Sequence, residues 1–182
     1  MNKKILVLTG SPRTGGNSEQ LADAFIRGAE SAGHEVTKFR AGKSRILGCI
    51  ACNKCYSKGA ACVFNDDFNE LAPLIEQSDM IVFVTPLYWF TFTSQIKAAI
   101  DKLYALLVGK RDIKITESML MVCAETDDRS DFDGIVESYR LINSYMEWKD
   151  AGTLLVPNVN KAGDILATDA LVRAENTGAE IQ

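Results

Sequence analysis

A single histidine, His34, serves the whole 182-residue chain. A Ser-His-Asp hydrolase would have to use it, yet no Gly-x-Ser-x-Gly elbow accompanies it. Set between Gly33 and Glu35, His34 reads as a surface residue. Long apolar runs are missing too. The first, Ile5 to Leu8, is shorter than the roughly 7–15 residues of a secretory h-region and ends at Thr9-Gly10-Ser11-Pro12. The most apolar stretch, Met80 to Phe92, is interrupted by Pro86 and falls short of the roughly 20 residues that span a bilayer. No surplus of positive charge exists: 20 Lys plus Arg face 24 Asp plus Glu, net −4. With no basic-aromatic stripe either, neither nucleic acid nor a membrane is expected as a partner. No repeat and no low-complexity linker divides the chain. The expectation is one soluble, cytoplasmic domain over residues 1–182.

What is present suits a globular fold. Apolar residues make up 47% and charged residues 24%, and a chain of this length can bury one sizeable core. Five short apolar runs read as strands: 4–9, 35–39, 80–84, 118–123 and 151–156. Three of them are continuously apolar rather than alternating, as strands buried on both faces are. Helical spacing lies between. Leu21, Phe25 and Ala29 follow a cap at Asn17 or Ser18. Ile96, Ile100, Leu103 and Leu107 share one face, as do Ile135, Tyr139, Ile142 and Met146. A weaker pattern covers 165–176. Residues 68–77 follow Asp66-Asp67, and Pro73 inside them predicts a kink or split. Strand–helix alternation of this kind implies an α/β, doubly wound parallel sheet. Five strands favour the flavodoxin-like order 2-1-3-4-5, with a ligand beyond the strand C-termini between strands 1 and 3.

The segment after strand 1, residues 9–18, turns on glycines into a helix. Its backbone N–H groups, the helix N-terminus and the side chains of Ser11, Arg13, Thr14, Asn17 and Ser18 form a phosphate cradle around Gly16. It is no nucleoside-triphosphatase loop, because Gly16 and not Lys follows Gly15. The Gly-x-Gly-x-x-Gly dinucleotide fingerprint is absent, and no cysteine nucleophile sits in the turn. After strand 3 comes Pro86-Leu87-Tyr88-Trp89-Phe90-Thr91-Phe92. A surface loop this rich in rings would cover a flat aromatic ligand or meet a neighbouring subunit. The exposed-looking Trp89, Phe90 and Phe92 point to a homodimer.

The five cysteines are an odd number, and four of them crowd into residues 48–65 as Cys49-x2-Cys52-x2-Cys55-x6-Cys62. Three thiolates around one turn with a fourth nearby suit a cubane iron–sulfur site. Free or partly paired thiols, and a zinc site, stay open as alternatives. Cys123, inside strand 4, reads as a small buried hydrophobe. The acidic run 127–131 reads as a solvated loop with a helix cap at Ser130 or Asp131.

Taken together, Gly10-Ser11-Pro12-Arg13-x-x-Gly16-Asn17-Ser18, Thr85-Pro86-Leu87-Tyr88-Trp89 and Ser94-Gln95-Ile96-Lys97-Ala98-x-Ile100-Asp101 resemble the NADPH-dependent FMN reductase family of flavodoxin-like proteins. Phe132-Asp133-Gly134, Trp148, Asp150-Ala151-Gly152 and Gly163-Asp164 extend the resemblance toward its iron–sulfur flavoprotein branch. The resemblance implies FMN, with its phosphate held by Ser11, Arg13, Gly16, Asn17 and Ser18. Pro86, Leu87, Tyr88 and Trp89 would line the isoalloxazine. Glu125, Thr126 and Asp127 would flank it, although relatives often carry Gly where this chain has Ala124-Glu125. In that branch the four cysteines bind a [4Fe–4S] cluster. The implied activity is electron transfer from NAD(P)H through FMN to a small-molecule or protein acceptor, such as a quinone, an azo or nitro compound, or flavin. An electron carrier or thiol-based sensor without its own nicotinamide reaction is the alternative. No side chain is expected to act as acid or base.

Overall fold

The computed structural model describes residues 2–182. Its sheet has five parallel strands in the order β2-β1-β3-β4-β5. They are β1 (Lys4–Thr9), β2 (Glu35–Phe39), β3 (Met80–Pro86), β4 (Glu117–Cys123) and β5 (Lys149–Val156). The flavodoxin-like order expected from the strand count is the one found. In β1 the continuous run splits between two cores: Ile5 and Val7 face one layer, Leu6 and Leu8 the other. Met80, Val82 and Val84 of β3 likewise oppose Ile81 and Phe83. Period-2 geometry with apolar residues at every position leaves water excluded from both faces.

One layer consists of α1 (Asn17–Ser31) and α6 (Ala170–Ala179). They cross with almost no space between them. A Cβ on Gly28 would lie 1.8 Å from the Glu175 carbonyl oxygen, and one on Gly178 would lie 2.2 Å from that of Phe25. The other layer holds α2 (Phe68–Gln77), α3 (Ser94–Asp101), α4 (Tyr104–Val108) and α5 (Asp133–Met146). Among the described residues, no helix is long and apolar enough to cross a membrane.

Four local expectations need correction. Helix α2 runs unbroken through Pro73. That proline is exposed, so the carbonyl it leaves unpaired one turn back is on the water side, while Phe68, Leu71 and Ile75 bury the other face. The single helix expected over 96–107 is two. Its chain tightens where Lys102 N–H donates to Ala99 O and Leu103 N–H to Ile100 O, three-residue bonds that end α3. Lys102 is drawn into the core there, 2% exposed. His34 is buried rather than superficial: its Nδ1 accepts from Lys3 N–H at 3.1 Å. That leaves the proton on Nε2, which donates to the Ile181 carbonyl at 3.0 Å. Phe92 is also buried, edge-on to Phe83 with centroids 6.0 Å apart. It belongs to the core, not to an exposed aromatic face.

Candidate functional site

A cleft of about 570 Å³ opens over the C-terminal ends of β1, β3 and β4, the switch point of the sheet. Three loops build it, and they are tied to one another. Gly10 N–H donates to Val84 O at 2.8 Å, and the buried Thr93 hydroxyl donates to Gly10 O at 2.8 Å. Leu87 N–H donates to Cys123 O at 2.8 Å. Val159 N–H donates to Ala124 O at 2.9 Å, which brings a fourth segment, 159–162, to the rim.

The polar end lies at the start of α1. Ser11, Arg13, Gly16, Asn17 and Ser18 all line it. No side chain caps this helix. Glu19 and Gln20 N–H turn back to Gly16 O, while the N–H groups of Gly16, Asn17 and Ser18 have no acceptor among the described residues. Three donors at the N-terminus of a 15-residue helix make an anion site. Ser11 Oγ is not free; it accepts from Arg13 N–H at 3.2 Å. The Arg13 side chain is exposed and forms no ion pair among the described residues.

Two residues of the expected cradle have other work. Thr14 stands outside the cleft, where its hydroxyl meets Lys43 Nζ. The left-handed Gly15 that follows turns the chain so that Thr14 points away (φ 65°). Asn17 lines the cleft, but its amide is spent. Its Nδ2 donates to Lys161 O at 2.9 Å and its Oδ1 accepts from Gly163 N–H at 3.0 Å, which pins segment 161–163 beside the cradle. It is the first helical residue and not the cap; Gly16 is.

Glu19 is the residue that the sequence reading missed. Its carboxylate accepts from Gly15 N–H at 2.7 Å and meets Lys38 at 3.2 Å and Arg40 at 2.8 Å. Burial alone would raise its pKa, but the Gly15 N–H and the two cations hold it below the usual carboxylate range. The signal was present: Glu19 lies three residues after the cap, where a capping-box carboxylate reaches back toward the preceding turn.

The apolar end is walled by Pro86, Leu87, Tyr88 and Trp89, with Cys123 and Ala124 at the floor. Burial pushes the Cys123 thiol up to about 12, so it stays neutral. Tyr88 and Thr91 pair as a two-residue hairpin, each N–H donating to the other's carbonyl at 3.1 Å. The two tip residues, Trp89 and Phe90, take φ of 46° and 64°, a left-handed geometry that hairpins normally give to Asn-Gly. Each costs roughly 1–2 kcal/mol there. Trp89 is nevertheless 91% exposed.

The loop after β4 carries Glu125, Thr126 and Asp131 to the cleft. Thr126 donates to Asp131 at 2.6 Å. Asp127 stands off the cleft, and Asp131 takes its place. The cap of this segment is Asp128, which accepts from Ser130 N–H, rather than Ser130 or Asp131.

The four clustered cysteines occupy a separate place. Cys49, Cys52, Cys55 and Cys62 line one small apolar pocket of about 20 Å³ with Phe64 and Tyr104. Ala51, Asn53 and Tyr56 are left-handed, so the chain coils tightly between the thiols. Burial, and then the thiols of Cys62, Cys49 and Cys52, push the Cys55 pKa upward. Among the described residues, no three His, Cys, Asp or Glu side chains converge as ligands of one metal ion. Four thiols around one pocket are the donor number that a cubane takes, one for each iron.

A doubly wound sheet of this order, with an anion cradle at one end of the switch-point cleft and an aromatic wall at the other, defines a flavodoxin-like fold with a ligand cleft at its switch point. The chain belongs to the NADPH-dependent FMN reductase family, a family of oxidoreductases whose pattern matches residues 3–144. It is 37% identical over 100 residues to an iron–sulfur flavoprotein of Archaeoglobus fulgidus, covering 55% of this chain and 45% of that one. The chain thus spans about half the length of the iron–sulfur flavoproteins it matches. A Bacillus subtilis protein provisionally named an NAD(P)H-dependent FMN-containing oxidoreductase, YwqN, is 25% identical over 169 residues, 90% of this chain and 89% of that one. In fold the chain is similar to an NAD(P)H:quinone oxidoreductase of Methanothermobacter marburgensis. The TM-score is 0.78 and the identity 19%, over 100% of this chain and 98% of that one.

Proposed function

We propose that the chain passes electrons from NAD(P)H through bound FMN to a quinone, an azo or nitro compound, free flavin or a protein acceptor. The observation that carries this is the two-ended cleft: unpaired N–H groups and Arg13 at one end, Pro86 to Trp89 at the other. Bound there, FMN would supply the chemistry of hydride acceptance and onward electron transfer. The chain's own residues bind and orient. Gly16, Asn17 and Ser18 would offer backbone N–H groups to the phosphate, and Arg13 its charge. Pro86, Leu87 and Tyr88 would exclude water from one side of the ring, with Glu125 and Thr126 across from them. No acid or base is required of any side chain.

The four-cysteine pocket favours a second reading, an iron–sulfur flavoprotein that works as an electron carrier. Cys49, Cys52, Cys55 and Cys62 would hold a [4Fe–4S] cluster and divide two-electron flavin chemistry into single-electron steps. A reducing compartment, the cytoplasm, would keep these thiols available. A second copy of the chain is the partner favoured for the exposed Trp89 and Phe90; light scattering that gives a monomer would remove it.

An anaerobic absorption spectrum with iron and sulfide assays, followed by NAD(P)H oxidation with added menadione, separates the readings. Flavin bands and turnover support the reductase. Flavin with about four irons per chain and no turnover supports the carrier. A colourless protein that refuses FMN overturns both.

A further inference from the structure

Loop 48–65 holds all four clustered cysteines and contains no helix or strand. Its two ends are nonetheless fixed. Arg45 N–H donates to Asp67 Oδ2 at 2.7 Å, and Asp67 N–H returns to Arg45 O at 3.1 Å. Beside them Asp66 is fully committed: Oδ2 accepts from Leu47 N–H at 2.9 Å and Oδ1 from Phe68 N–H at 3.2 Å. Lys102 completes the knot. Its Nζ pairs with Asp66 Oδ2 at 2.5 Å, and the two side chains are 2% and 0% exposed. The ammonium also lies 5.3 Å from the Phe64 ring centroid and 5.6 Å from that of Phe68.

Burying such a pair brings little net stability, since apolar residues of similar size do as well or better. Its placement is more telling. Lys102 lines the cysteine pocket with Phe64, whereas Asp66 does not. The pocket therefore meets the cationic member of the pair, and four thiolates around an iron–sulfur core are anionic.

We propose that Asp66 and Lys102 are the clasp of the cysteine site. Asp66 holds the neck of the loop shut so that four thiols share one pocket, and Lys102 sets a fixed positive charge against the pocket wall. Lys102 is thus a positioning residue for the site and tunes it electrostatically. This rests on the iron–sulfur reading given above.

The experiment is anaerobic reconstitution of the full chain with ferrous iron and sulfide, in the wild type, Lys102→Met and Lys102→Arg. Iron retained against a chelator, the cluster midpoint potential by EPR-monitored titration, and the FMN dissociation constant are measured on each. Lys102→Met is expected to hold iron roughly 10-fold less well, the scale for residues that orient metal ligands. Its potential should move to more negative values, with FMN affinity unchanged and Lys102→Arg restoring both iron retention and potential. Equal retention and an equal potential in Lys102→Met would overturn the clasp and leave the cluster reading standing. A wild type that takes up no iron would overturn both. Should Lys102→Met fail to bind FMN, the charge-neutral pair Asp66→Asn with Lys102→Met takes its place, and wild-type retention and potential in that pair overturn the proposal.

Discussion

The phosphate cradle and the cysteine loop are both irregular segments that turn donor groups toward one point, yet they are held in opposite ways. The cradle is a seven-residue turn, 10–16, between β1 and α1, whose shape follows from the elements it joins. Its donors are backbone N–H groups that the helix leaves over. The cysteine loop has eighteen residues and no element within it. It is kept by side chains outside it: Asp66, Asp67 and Lys102 at the neck, and Glu76 and Arg111 around Tyr56. The Tyr56 hydroxyl donates to Glu76 at 2.7 Å, and Arg111 lies 5.1 Å from its ring centroid. A site made of backbone is as stable as its sheet. A site made of clasps fails one clasp at a time.

The largest expected effect breaks the clasp. Asp66→Ala strands a buried ammonium and frees Leu47 and Phe68 N–H, which should cost about 3–5 kcal/mol of stability. If the contrast is right, trypsin then cuts after Lys54 and Lys58 well before the FMN site is lost; simultaneous loss of both would erase the distinction. Next comes the support of the cradle. Gly28→Ala drives a methyl into the Glu175 carbonyl where α1 meets α6. About 3 kcal/mol is expected, and because α1 carries the cradle, FMN affinity should fall with the melting temperature. Arg13→Ala is gentler. It should weaken FMN by about 1–3 kcal/mol, the worth of one charge-assisted hydrogen bond, without lowering the melting temperature of the apoprotein. Calorimetric titration with FMN reads this directly, and unchanged affinity would remove Arg13 from the phosphate end.

How much of this was legible beforehand follows the same contrast. The parallel sheet was readable because Ile5 to Leu8 and Met80 to Val84 are apolar at every position, as strands buried on both faces are, and its order because five alternating strands favour 2-1-3-4-5. The cradle's place was readable because glycines and hydroxyls follow the first such strand. Its side-chain roles were not. Asn17 and Thr14 looked like phosphate donors by type, but Asn17 is taken by Lys161 and Gly163, some 145 residues away in sequence. Long-range hydrogen bonds of that kind leave no local mark. The same is true of Lys102, whose helical spacing reads as one continuous α3–α4 helix until Asp66 pulls it inward. His34 misled for the converse reason: a lone polar ring between Gly33 and Glu35 gives no hint that two backbone groups receive it.

The smallest expected effect concerns Glu19, and it sharpens the comparison because Glu19 is a charged side-chain clasp within the cradle. Gly15 N–H, Lys38 and Arg40 hold its carboxyl below the reference value of 4.5 despite burial. A carboxyl depressed on folding adds stability that is complete above its unfolded value and lost as pH falls through the folded one. Glu19→Gln keeps an acceptor for Gly15 but leaves Lys38 and Arg40 without their shared anion. At neutral pH the variant should be about 1 kcal/mol less stable, the net worth of an ordinary intramolecular hydrogen bond. That gap should narrow as pH drops below 4.5 and close once the wild-type carboxyl is protonated. Chemical denaturation of both proteins across this range measures it. A gap that persists undiminished in acid would mean that the glutamate acts by shape alone. The fold of the cradle would then owe nothing to the charge of Glu19, and its contrast with the Asp66–Lys102 clasp would be complete.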